Sequence, residues 1–149
     1  MITTNQIELV QRSFARVLPI ADAAGLMFYN RLFELVPATR SLFGDDIPLQ
    51  AGRTMAAVKK VVDGLDDLEP IAAYLARLGA RHVGYGVAPV QLGLAADVLL
   101  WTLEQGLGDH FTAEVREAWI AATDIITAAM RAGMEQAGAV TTSATLITT

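Results

Sequence analysis

The chain carries two histidines and no cysteine. Disulfides, thiolate catalysis and thiolate metal sites are thereby excluded. His82 stands in LGARHVGYGV, residues 78–87, where an amphipathic stretch runs into a glycine-rich turn. Ile71, Leu75, Leu78 and His82 are spaced i, i+4, i+7 and i+11, so a helix places the ring with the apolar residues. Arg77 and Arg81 point elsewhere. Two readings fit such a ring: a partly buried histidine satisfied by a backbone carbonyl, or a neutral imidazole offering one nitrogen to a metal. His110, in GDHFT, is remote in sequence, and no HxxxH, HxxE or ExxH spacing occurs. A protein-only zinc or iron site needs three or four ligands, which this pattern does not supply.

If His82 holds a metal, the other ligands come from a cofactor. A porphyrin supplies four nitrogens and leaves one axial position for the protein and one for a small ligand. Three further stretches bear on that idea. Gln50, Thr54, Ala57, Val58 and Val61 form one helical stripe, headed by an amide and filled with small residues. Against a flat cofactor such a stripe leaves a slot; otherwise Gln50 is a solvated residue in a first turn. Tyr29 shares a face with Leu26, Leu32, Phe33 and Val36, and a core tyrosine often anchors its hydroxyl on a backbone carbonyl. Phe43, in SLFGDD, equally suits an ordinary core.

The elements that must position these residues are helical throughout. Every long stretch has helical period, none alternates like a strand, and no internal repeat occurs. Pro19, Pro37, Pro48, Pro70 and Pro89 each fall where a helix can begin. Thr3 and Gln6 have capping-box spacing and open a first helix to about residue 17. Further helices are predicted at 20–36, briefly after Pro37, and at 49–64, 70–82, 89–107 and 113–137. Gly108 ends one of them and Thr112 caps the last. The sequence AVTTSATLITT has no helical pattern, so residues 1–137 are expected to form one domain and 138–149 a disordered tail.

Of the 149 residues 53% are hydrophobic and the mean hydropathy is +0.40, so much apolar surface must be buried in a core or around an apolar ligand. No apolar run reaches the roughly 18 residues of a membrane span; Asp97 interrupts the richest, Leu92 to Leu103. Met1 to Val10 lacks the pattern of a signal peptide. A cytoplasmic protein without membrane association is expected. The net charge is −5 and Lys59–Lys60 is the sole adjacent basic pair, which argues against nucleic acid.

Taken in order, Tyr29, Phe43, Gln50 and His82 resemble the second helix, the following corner, the distal helix and the proximal helix of a globin. LARLGARHVGYGV, GLMFYNRLFELVPATRSLF and GLGDHFTAEVREAW are similar to segments of neuroglobins and single-domain bacterial haemoglobins. The pairing of Tyr29 with Gln50 resembles the Hell's Gate globin type. The resemblance covers about residues 5–135. It implies an all-α globin fold of seven to eight helices around a haem pocket, and haem b as cofactor, held without covalent attachment.

The resemblance also implies roles. His82 is the proximal iron ligand, Phe43 wedges the haem, and Tyr29 and Gln50 face the distal ligand. Arg53 pairs with a haem propionate unless it is simply a solvated charge. Thr54 lines the distal side, and Leu78 and Val87 pack on the proximal side. Neuroglobins carry a distal histidine where this chain has Gln50. Flavohaemoglobins back the proximal histidine with a tyrosine and a glutamate; Leu92 and Met134 stand at the matching positions. The implied function is binding of O₂, NO and CO, with high O₂ affinity from slow release. Nitric oxide dioxygenase or nitrite reductase activity with an external reductase is an alternative. A gas-sensor or interaction module is a third.

Overall fold

Thr3 sets the first helix. Its hydroxyl accepts from the Gln6 amide at 3.1 Å while the Gln6 side chain accepts from the Thr3 amide at 3.0 Å. Both groups would otherwise be orphan donors of a helix start. In a computed structural model the backbone is described for residues 1–148 and the side chains for residues 1–138. Six α-helices follow one another among the described residues: α1 (Thr4–Val17), α2 (Ala21–Leu35), α3 (Ile47–Asp63), α4 (Leu68–Gly84), α5 (Pro89–Leu107) and α6 (Ala113–Thr148). The architecture is all-α, as expected, with fewer α-helices than the seven or eight foreseen.

The difference lies in the connections. Leu18–Ile20, Pro37–Leu42 and Gly108–His110 are 3₁₀ turns. After Pro37, the Thr39 hydroxyl donates to the Val36 carbonyl at 2.6 Å and the Ser41 hydroxyl to the Ala38 carbonyl at 2.9 Å. Such i−3 side-chain bonds compete with the α-helical ladder and favour the tighter turn. Helix starts also move. The Asp46 carboxylate accepts from the Leu49 amide at 3.0 Å and so opens α3 two residues ahead of the expected position. Pro70 is the third residue of α4, still in the turn where its missing N–H is harmless. Thr112 caps α6 through Val115 N, at 3.2 Å. The tail expected over 138–149 lies, for its side chains, outside the described residues apart from Gly138.

α6 is packed along α4, α1 and α5, while α2 bridges α3 and α5. Trp119 of α6 is fully buried and its ring lies 6.1 Å from that of Phe14 on α1. Its indole N–H donates to the Ser13 hydroxyl at 2.8 Å, and Ser13 donates onward to the Val10 carbonyl at 3.0 Å. The polar edge of the largest core ring is thus satisfied within α1. Val98, Leu99, Leu100, Leu103 and Leu107 of α5 are buried in the same core. Among the described residues no single helix is long and apolar enough to cross a membrane, although α4 and α5 with its following turn, bent by 117°, meet the length and composition together.

Ser13→Ala removes the one acceptor of a buried indole donor, so unfolding free energy should fall by about 1–3 kcal/mol. Urea denaturation followed by far-UV circular dichroism measures this, with Ser13→Thr retaining most of the stability. An unchanged midpoint in Ser13→Ala would mean that water replaces the hydroxyl and that the bond is not a core constraint.

Candidate functional site

Gly25 of α2 meets Ala51 of α3 almost backbone to backbone. A Cβ on Gly25 would lie 3.0 Å from both the Cβ and the carbonyl oxygen of Ala51. This close crossing brings the next turn of α2, carrying Tyr29, against the first turns of α3. Tyr29 is 3% exposed. Its hydroxyl lies 2.5 Å from the Thr54 hydroxyl and accepts from Gln50 Nε2 at 3.2 Å. Between the two hydroxyls either can be the donor, whereas Gln50 Nε2 can only give.

The Tyr29 ring is fixed by aromatic neighbours. Phe43 meets it edge-on at 5.1 Å, Phe28 edge-on at 5.0 Å, and Phe33 lies 5.9 Å away. Edge-to-face arrangements at these separations are the favourable ones for aromatic pairs. Leu26, expected on this face, is instead exposed. The buried arc of α2 centres on Gly25, Phe28 and Leu32, and Leu26 stands about 100° round from Gly25.

α4 carries the second half of the site. Ile71 and Leu75 are buried, while Leu78 and His82 are half-buried, so the stripe emerges from the core towards its C-terminal end. His82 Nδ1 lies 2.6 Å from the Leu78 carbonyl oxygen, to which it donates, since a carbonyl oxygen only accepts. The opposite nitrogen, Nε2, has no hydrogen-bond partner among the described residues. The GYG sequence then closes the helix. Gly86 takes φ 81, Gly86 N–H donates to the Val83 carbonyl at 3.1 Å and Val87 N–H to the His82 carbonyl at 3.1 Å. This is a Schellman motif, in which glycine supplies the left-handed residue. It holds Val87 beside His82.

α3 and α4 are consecutive yet scarcely pack on one another: α3 lies on α2 and α1, α4 on α6. Phe43, Leu78 and Val87 are only partly buried and pack at the edge of the core. Among the described residues no three of His, Cys, Asp and Glu come together to hold a metal. His110 is exposed in the α5–α6 connection and its Nε2 lies 3.3 Å from Arg16.

Tyr29, Phe43, Gln50 and Thr54 thus form one contacting group, and Leu78, His82 and Val87 another. The half-burial of Gln50 and its bond to Tyr29 remove the reading of a solvated first-turn amide. Tyr29 bonds to side chains, not to a backbone carbonyl. Arg53 joins neither group: it is exposed and makes no ion pair among the described residues. Leu92 and Met134 are buried in the core. Sequence reasoning missed Gly25, Gly79 and Gly133, all buried within helices. A glycine inside a helix costs about 1 kcal/mol relative to alanine, and that unexplained expense was the available signal.

The globin family model matches residues 26–130. The anaerobic nitrite reductase NSHB5 of Oryza sativa subsp. indica is 31% identical over 138 residues, spanning 89% of this chain and 95% of that protein. The neuroglobin of Tetraodon nigroviridis is 28% identical over 92% of this chain and 95% of its own. In three dimensions, a hexacoordinated heme protein from an anhydrobiotic tardigrade superposes with a TM-score of 0.84 at 17% identity, over 90% of this chain and 96% of that one. A fold of this topology, a family model over most of its length and a relative above 30% identity agree, and the chain belongs to the globin family.

Proposed function

We propose that this globin holds haem b between α3 and α4 through His82 and binds O₂, NO and CO on the side of Tyr29 and Gln50. The observation that carries the reading is the His82 ring, tied at Nδ1 to the Leu78 carbonyl and unpartnered at Nε2. A ring nitrogen so fixed in tautomer and orientation is what a metal ligand requires. The residues present suit the group. One imidazole would supply the one protein ligand that such a group needs, and the partly buried Phe43, Leu78 and Val87 supply apolar contact. Arg53, exposed and without an ion pair among the described residues, is the cation offered to a propionate. Haem, when bound, supplies an iron centre with one position for a diatomic ligand.

The remaining work falls to hydrogen bonds. Gln50 keeps one amide N–H beyond that given to Tyr29. The Tyr29 proton is either given to Thr54 or free for a ligand. A polarised gas favours the second arrangement, in which Thr54 donates to Tyr29 and Tyr29 to the gas. Such bonds to a charged acceptor contribute about 1.5–3 kcal/mol each. Slow O₂ release and high O₂ affinity follow, with Thr54 setting how much of the Tyr29 donor is available.

A second reading is reduction of nitrite, the activity in the rice relative's name, or else dioxygenation of NO, each at the same site and each needing an external reductase. Sustained turnover with a supplied reductant separates it from reversible binding.

His82→Ala should abolish specific haem uptake, and the unsubstituted ferrous protein should be five-coordinate, since the first turns of α3 carry no histidine. Absorption spectra after haem titration test both. A wild-type spectrum in the variant, or a low-spin six-coordinate ferrous form, overturns this ligand assignment.

Tyr29→Phe should accelerate O₂ release about 10-fold or more and move CO release much less, because bound CO carries less charge. Thr54→Val removes the hydroxyl that donates to Tyr29 while Tyr29 donates to the gas, and should accelerate O₂ release by less than Tyr29→Phe does. Stopped-flow displacement of O₂ by CO reads both variants. Equal changes for O₂ and CO would mean that sterics, not hydrogen bonding, control the site.

A further inference from the structure

α4 and α6 meet through their backbones. A Cβ on Gly79 would lie 2.1 Å from the Met130 carbonyl oxygen, and one on Gly133 would lie 1.9 Å from the Ala76 carbonyl oxygen. Neither position accepts any side chain unless a helix moves. The contact is reciprocal and antiparallel, with 79 against 130 and 76 against 133, about one helical turn apart on each helix. Two such points fix the separation of the helices and also stop one sliding along the other. Gly84, on the same helix, has nothing within 4 Å of its Cβ position.

This crossing reaches the imidazole through a single peptide unit. The carbonyl that accepts from His82 Nδ1 is that of Leu78, and its peptide plane ends on the Gly79 nitrogen. Lifting or tilting that plane moves the acceptor, and the ring must follow or lose its bond. One turn later the Schellman motif at Gly86 secures the other side of His82 through its carbonyl. We infer that Gly79 and Gly133 are positioning residues whose crossing presets the height and orientation of His82 before haem arrives. The inference rests on the reading of His82 as the iron ligand. Its consequence is that little ordering of α4 remains to oppose cofactor binding.

The test has two arms. In the full-length haem-free chain, amides 79–83 should exchange with solvent at least about 100-fold more slowly than in an unstructured chain. Exchange there at the unstructured rate overturns the inference. In the haem-loaded ferrous protein, Gly133→Ala should lower the iron–histidine stretching frequency seen by resonance Raman. It should also accelerate haem loss by about tenfold, the scale of an overpacked contact. Gly84→Ala should do neither. If Gly133→Ala lowers stability while the stretching band stays in place, the crossing is packing alone and the inference fails. If that variant does not fold, the exchange arm decides. A wild-type haem spectrum in His82→Ala would refute the ligand reading separately, because protection of 79–83 is measured without haem.

Discussion

The site depends on one packing constraint: α3 and α4, neighbours in the chain, are each committed to a different helix. Gly25 lets α2 approach Ala51 on α3, and the Gly79–Gly133 pair locks α4 on α6. Helices held that closely cannot also close on one another, since interiors are packed too densely to absorb the shift. That α3 and α4 scarcely pack on one another is therefore a product of contacts made elsewhere. Each crossing sits about one turn from the residues it orients. Gly25 precedes Tyr29 on α2, and Gly79 precedes His82 on α4.

Helices kept apart in this way are tolerable only if the polar groups they carry are satisfied. Among the described residues no buried side-chain nitrogen or oxygen lacks a partner. Tyr29, Thr54 and Gln50 satisfy one another, and His82 is satisfied at Nδ1 by its own helix. The same economy governs the core, where the Trp119 indole is answered by Ser13. Buried unpaired groups cost about 1–3 kcal/mol each, enough to decide the stability of a small domain. The difference between core and site is exposure. Ser13 and Trp119 are buried, whereas Gln50, Thr54 and His82 are half-buried and keep hydrogen-bonding capacity to spare.

Most of the fold was legible because its signals are local. Thr3 with Gln6, Thr112, the prolines and the stripe ending in His82 act over one or two turns, and the structure places them as read. The group of Tyr29, Phe43, Gln50 and Thr54 was legible through likeness to a family rather than through spacing. What stayed hidden depends on two distant segments meeting. No pattern near Gly79 announces that Met130 will press on it, and nothing near Ser13 announces Trp119. Leu26 misled for a related reason. Helical period defines a stripe but not which edge of it the neighbouring helices will cover.

Proton accounting shows how the donors of the site depend on one another. From likeness to the family, Tyr29 and Gln50 were expected to face the distal ligand. In the structure one Gln50 N–H is spent on Tyr29, and one hydroxyl proton lies between Tyr29 and Thr54. The Gln50 amide has two N–H bonds and each hydroxyl has one proton. After the internal bonds are made, one amide proton and one hydroxyl proton remain for a ligand. Whether that hydroxyl proton sits on Tyr29 or on Thr54 is set by the ligand itself, because a negatively polarised atom draws the arrangement in which Tyr29 donates. An uncharged ligand gains nothing from the rearrangement and leaves the network as it stands. On the proposed function, discrimination between gases of similar size would reside in a hydroxyl rotation within one triad, with no movement of a helix.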